Sequence, residues 1–136
     1  MSISRHIFIG DIHGCIEELD ELIKKLSYNK EKDKLILLGD LIDRGPDSVG
    51  VIRRAQELKA ESVMGNHEHK FVQWINNTDC NYAHKIRLFY LKFSDQDTKY
   101  IQQMKPYIKI DNMLAVHAGL KPGIFLKINL KMIYFI

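Results

Sequence analysis

The chain has 136 residues, 46% of them hydrophobic and 27% charged, with a net charge of +3; such a balance suits one globular domain with a buried core and excludes a fibrous or disordered chain. The basic residues are scattered, so no arginine-rich stripe points to nucleic acid, and no stretch reaches the ~18 apolar residues that cross a membrane. Cys15 and Cys80 lie far apart and Met1–His6 lacks a signal peptide's apolar centre, so a cytoplasmic protein with reduced thiols is expected.

Residues 6–10 read as a strand. Residues 15–26 read as a helix with Cys15, Ile16, Leu19, Leu22, Ile23 and Leu26 on one face. Glu17 and Glu18 come early and Lys24 and Lys25 late, which matches the helix dipole. Residues 34–39 form a continuously apolar strand, as expected when both faces are covered. Gly45-Pro46 is expected to open a second helix, with Val49, Ile52, Ala55 and Leu58 inward. A short strand follows at about residues 61–64, and this rhythm predicts parallel βαβ units.

Residues 67–104 read as mainly helical. Phe71, Trp74 and Ile75 mark one apolar face, Ile86, Phe89, Tyr90 and Phe93 another, and Asn76-Asn77-Thr78-Asp79 a loop between them. After Pro106, residues 107–110 and 113–116 read as two strands around Asp111-Asn112. In the tail, Lys127, Asn129 and Lys131 alternate with Leu126, Ile128, Leu130 and Met132, a strand pattern. With no repeat or linker, residues 1–136 are read as a single α/β domain.

Four apolar runs end in side chains that bind metals. They are Ile7-Phe8-Ile9-Gly10-Asp11-Ile12-His13, Leu35-Ile36-Leu37-Leu38-Gly39-Asp40, Val63-Met64-Gly65-Asn66-His67-Glu68, and Met113-Leu114-Ala115-Val116-His117. In parallel sheets, sites form beyond the carboxyl ends of the strands, where these residues fall. Asp11 and His13, two apart, leave extended backbone on one side and can reach one ion. Asp40 has two oxygens and could bridge two ions; Asn66 and His117 offer an amide oxygen and an imidazole nitrogen. Such a mixture suits Mn²⁺, Fe²⁺ or Zn²⁺ better than Ca²⁺. Two ions ~3.5–4 Å apart would activate water and clamp a phosphate. Arg44, on the Asp40 loop, has the fork that grips phosphate oxygens. His67 could protonate a leaving alkoxide, and Asp43 could orient it.

Taken singly, most of these residues have ordinary explanations. Asp-x-His is usually a solvated turn, and Gly-Asp after a strand is usually turn or cap chemistry. Arg44 could pair with a neighbouring carboxylate. Glu68 and His69 read as solvated, and the aromatic faces as core. Jointly the explanation changes, because four strand ends supply ligands together.

The runs Gly10-Asp11-Ile12-His13-Gly14, Gly39-Asp40-Leu41-Ile42-Asp43-Arg44-Gly45, Gly65-Asn66-His67-Glu68 and His117-Ala118-Gly119-Leu120 resemble the calcineurin-like metallophosphoesterase superfamily. Asp43-Arg44-Gly45 is similar to the branch of Ser/Thr phosphoprotein phosphatases and symmetrical diadenosine tetraphosphatases. The resemblance implies a four-layer α/β/β/α sandwich. It implies two divalent ions, manganese first, with iron, zinc or nickel as alternatives. Asp11, His13 and Asp40 would hold the first ion; Asp40, Asn66 and His117 the second. His67 would be the general acid, paired with Asp43, and Arg44 and Asn66 would contact phosphate. The activity implied is hydrolysis of a phosphoprotein-type monoester or a dinucleoside polyphosphate, so the partner is a phosphorylated protein or a nucleotide.

The sequence also departs from the pattern. Family members carry a further Gly-His motif downstream, yet no histidine follows His117 and no arginine follows Arg87. The expectation is therefore a C-terminally shortened domain with an incomplete second sheet. A catalytically impaired metal- or phosphate-binding remnant is the rival reading, and a nuclease of the same superfamily a weaker third.

Overall fold

The computed structural model describes residues 5–76 and 89–124. Its elements are β1 (Arg5–Ile9), α1 (Ile16–Lys25), β2 (Asp33–Leu37), α2 (Ser48–Glu57), β3 (Glu61–Ser62), α3 (Asn66–Ile75), α4 (Asp95–Gln102), β4 (Tyr107–Ile110) and β5 (Met113–Val116). Strands β1, β2 and β3 form a parallel sheet in that order, with Ile7 opposite Leu35 and Leu37 opposite Ser62. Strands β4 and β5 form an antiparallel pair in which Tyr107 faces Val116. A single parallel bridge from Val63 to Lys105 ties the end of β3 to the chain entering β4.

The pleat of β2 explains the layering. Leu35 and Leu37 point to one side, with Ile7 and Ile9, and pack against Leu19 and Ile23 of α1 and Val51, Ile52 and Ala55 of α2. Ile36 points the other way and packs with Val63, Ile108, Ile110 and Ala115 between the two sheets. Both faces of β2 are thus buried, which is why its sequence is continuously apolar. Each such side chain contributes about 1.5–3 kcal/mol on leaving water. Phe8 lies opposite Ile36 and so shares the inter-sheet face, but it remains 37% exposed because the described part of the second sheet has two strands.

Several expected details shift. Leu22 is not inward: it is 38% exposed, because α1 covers the sheet with Leu19 and Ile23. Pro46 does not open α2. Asp47 caps that helix instead, its carboxylate accepting from Gly50 N at 2.7 Å, and a capping carboxylate defines the start better than the proline upstream. Strand β3 is shorter than expected, since Val63 turns to bridge Lys105. In the expected helical block, α3 and α4 are present, and Asn76 caps the C-terminus of α3. Phe71 meets Tyr90 and Phe93 edge-on at 4.8 and 5.1 Å between ring centres. The expectations for residues 77–79, Cys80, Ile86 and the tail beyond Ile124 lie outside the described residues.

Candidate metal centre

The four strand ends meet at one edge. His13 N donates to Asp40 O at 2.9 Å and Gly14 N to Leu41 O at 2.8 Å, so the β1 and β2 loops stay laced together past the sheet. Asp11, His13, Asp40, Asp43 and Arg44 all have left-handed backbones, with φ between 43° and 69°. Non-glycine residues rarely adopt that conformation, and strain of this kind concentrates where surrounding structure holds functional groups in place. At Gly39, φ is 84° and a β-carbon would come within 2.6 Å of Gly65 N and 3.1 Å of His117 Nδ1. Only glycine lets the three loops close this tightly.

The histidines are set by backbone carbonyls. His13 Nδ1 lies 2.9 Å from Ile42 O, and His117 Nδ1 lies 2.7 Å from Leu38 O. A carbonyl only accepts, so each Nδ1 serves as the donor and each ring turns its Nε2 toward the cluster. Those nitrogens lie 3.6 Å and 3.5 Å from the Asp40 carboxylate oxygens. The Asn66 amide oxygen lies 3.1 Å from His117 Nε2 and 3.0 and 3.1 Å from the Asp40 oxygens, acceptors gathered about one point as they are around a cation. Asp11 reaches in from solvent, 65% exposed, with Oδ1 3.9 Å from His117.

Two triplets of donor atoms result, each within 4.8 Å: His13, Asp40 and His67, and Asp11, Asp40 and His117. Asp40 is common to both triplets, and the expected first set of Asp11, His13 and Asp40 lies within the two taken together. Imidazole lone pairs and carboxylate oxygens facing one another repel unless a cation lies between them. This donor set fits a borderline divalent ion.

Beside the cluster stands the expected acid pair. His67 Nδ1 lies 2.7 Å from Asp43 Oδ2, and the His67 ring sits edge-on to His13 with centres 4.9 Å apart. The same Asp43 oxygen accepts from Tyr90 Oη at 3.2 Å, while Asp43 N donates to Ser48 Oγ at 2.9 Å. Asp40 Oδ1 also accepts from His67 N at 3.2 Å, at the positive end of α3. Arg44 is exposed on the adjoining loop.

Glu68 is not solvated, as its residue type implied; it is 0% exposed. Its Oε1 accepts from Leu41 N and Ile42 N at 2.8 and 3.2 Å, and its Oε2 from Asp40 N and Gly65 N at 2.8 and 2.9 Å. It is the fastener between the loop carrying Asp40 and the loop carrying Asn66 and His67. Burial pushes its carboxyl up, and the backbone donors pull it back only part of the way. A glutamate three residues after the N-cap Gly65 was the available sequence signal. The sequence marked Tyr90 as part of an apolar face, not as a partner of Asp43. His69 is half-buried rather than solvated, and burial lowers its pKa.

Comparisons with known proteins bear on the family. The family model described as calcineurin-like phosphoesterase matches residues 4–134. A symmetrical bis(5'-nucleosyl)-tetraphosphatase of Hamiltonella defensa is 39% identical over 125 residues, covering 84% of this chain and 44% of the relative. A protein of the same name from Buchnera aphidicola is 35% identical over 121 residues, covering 85% and 44%. The chain thus spans less than half the length of these curated relatives. The crystal structure of a candidate diadenosine tetraphosphatase aligns with a TM-score of 0.80 at 32% identity, covering 90% of this chain and 53% of that one. A Saccharomyces cerevisiae serine/threonine phosphatase aligns with a TM-score of 0.61 at 22% identity, covering 95% and 46%, and speaks for the fold alone. From the matched residues and the relatives together, the chain belongs to the calcineurin-like phosphoesterase family.

Proposed function

We propose that this protein is a metal-dependent phosphoesterase whose substrate is a dinucleoside polyphosphate. The observation that carries the proposal is the His67–Asp43 pair standing beside a donor cluster centred on Asp40. Relatives named as symmetrical bis(5'-nucleosyl)-tetraphosphatases support the nucleotide over a phosphoprotein. Asp11, His13, Asp40, Asn66 and His117 would hold two divalent ions, manganese first. When bound, such ions supply the positive charge that polarises a phosphoryl group and lowers the pKa of water. Arg44 grips the phosphate oxygens, with Asn66 beside it. His67 donates its proton to the leaving oxygen, and Asp43 holds the other ring nitrogen so that Nε2 faces the substrate. The protein works in the cytoplasm, in keeping with the absence, among the described residues, of a helix long and apolar enough to cross a membrane.

The test is turnover of diadenosine tetraphosphate and of p-nitrophenyl phosphate, with and without Mn²⁺. Activity that requires the ion, is higher on the nucleotide and is lost in Asp40→Asn and His67→Ala is expected. Activity surviving both substitutions would sink the proposal. The second reading is a binding remnant, favoured by the chain's spanning only 44% of its relatives. Calorimetry showing one bound ion per chain and no turnover would select it.

A further inference from the structure

Asp43 is held from two directions. Its backbone, in the left-handed conformation with φ 68°, is anchored by Ser48 Oγ, which accepts from Asp43 N at 2.9 Å. Its Oδ2 accepts from Tyr90 Oη at 3.2 Å and lies 2.7 Å from His67 Nδ1. Tyr90 comes from a part of the chain 47 residues away and is only 2% exposed. Its ring is braced edge-on by Phe71 at 4.8 Å and at a tilt by Trp74 at 5.5 Å. A rigid ring therefore delivers a hydroxyl proton to the oxygen that orients the histidine.

We propose that Tyr90 is a positioning residue for the His67–Asp43 pair. The inference rests on the phosphoesterase reading and deepens it. A carboxylate held by one partner alone can rotate and offer either oxygen to the imidazole. A second donor on Oδ2 stops that rotation. The fixed carboxylate in turn holds His67 Nδ1, so Nε2 stays aimed into the site. The aromatic residues around Tyr90 would be equally well packed by a phenylalanine, so the hydroxyl is the part that calls for a role.

Tyr90→Phe removes the hydroxyl and keeps the ring. The first readout needs no turnover: long-range ¹H–¹⁵N correlations of the His67 ring in the full chain with Zn²⁺, which is diamagnetic. His67→Ala identifies the resonances. In the parent, a single Nδ1 signal hydrogen-bonded to a fixed Asp43 carboxylate is expected; in Tyr90→Phe that signal should shift and broaden as the carboxylate rotates and its two oxygens alternate as acceptor. Phe93→Leu disturbs the same aromatic cluster without touching the hydroxyl, and should leave the resonances in place. Identical spectra for Tyr90→Phe and the parent, or equal shifts in the two variants, would overturn the proposal.

The second readout is kinetic. Phenyl phosphate has a basic leaving oxygen that needs a proton, whereas p-nitrophenolate leaves without one. Tyr90→Phe should slow phenyl phosphate by about tenfold and p-nitrophenyl phosphate hardly at all. An equal loss on both esters would mark Tyr90 as merely structural. If neither ester nor diadenosine tetraphosphate turns over in the parent, the phosphoesterase reading fails on its own, and the ring nitrogens still decide the role of Tyr90.

Discussion

Glu68 looks from the sequence like one more helix-start glutamate, yet four backbone N–H groups converge on it from two separate loops. Replacing it with alanine strands those donors in the interior, each at a cost of about 1–3 kcal/mol before relaxation or water entry. Glu68→Ala should therefore lose on the order of 4 kcal/mol in urea unfolding, and Glu68→Gln about half of that, because an amide keeps one acceptor. Because its partners include Asp40 N, the glutamine variant should also bind Mn²⁺ about 10–100-fold more weakly, the range for groups that hold ligands in place. An unchanged affinity would show that the Asp40 loop keeps its shape without the fastener. The contrast with the strand-end residues is physical. Asp11, His13, Asp40, Asn66, His67 and His117 could be singled out because each ends an apolar run, a local pattern. The clasp that Glu68 makes on the Asp40 loop and the contact from Tyr90 to Asp43 could not, because they join residues 26–28 and 47 positions apart and no local pattern records such a meeting.

Among the elements, β4 and β5 have the bounds their alternation predicts, because the turn at Asp111-Asn112 fixes the register. The start of α2 was misread, because proline and aspartate both mark helix starts and only the structure shows which one caps. The joint between α2 and α4 was invisible in sequence. Asp97 there accepts from Arg53 at 3.3 Å, Gln56 at 3.1 Å and Ser94 N at 3.0 Å. Burial raises the Asp97 carboxyl, but the Ser94 backbone and hydroxyl, Gln56 and Arg53 together outweigh it, and the net shift is downward. A carboxyl depressed on folding adds stability above its ordinary value of 3.8, and that share is lost as pH falls through the lower, folded value. The stability gap between the parent and Asp97→Asn should thus be widest above pH 4 and narrow as acid is added. Denaturant midpoints at neutral and acid pH measure it; a gap that stays constant would mean the charge at Asp97 contributes nothing.

At the scale of the molecule, the donor cluster joins two sheets that otherwise touch over little. Strands β1, β2 and β3 supply Asp11, His13, Asp40, Asn66 and His67; β5 supplies His117 alone. Between the sheets lie the small cluster around Ile36, the Val63–Lys105 bridge, and the 2.7 Å contact from His117 to Leu38 O. With Phe8 exposed on the inter-sheet face, β4 and β5 are the less firmly held part. An ion shared between Asp40 and His117 would fasten them. A ligand that binds only the folded state stabilises it by RT ln(1 + [L]/Kd), about 2.7 kcal/mol at a hundredfold excess over Kd. That stabilisation should not be spread evenly. Amides of Ile108, Ile110 and Ala115 should exchange with deuterium about a hundredfold faster after chelation, whereas those of Leu35, Ile36 and Leu37 should change little, since local opening of the hairpin leaves the parallel sheet intact. The variant His117→Ala should exchange like the chelated parent whether or not Mn²⁺ is present. If the ion instead slows both sheets alike, they open together, and His117 is a passenger on a single cooperative unit.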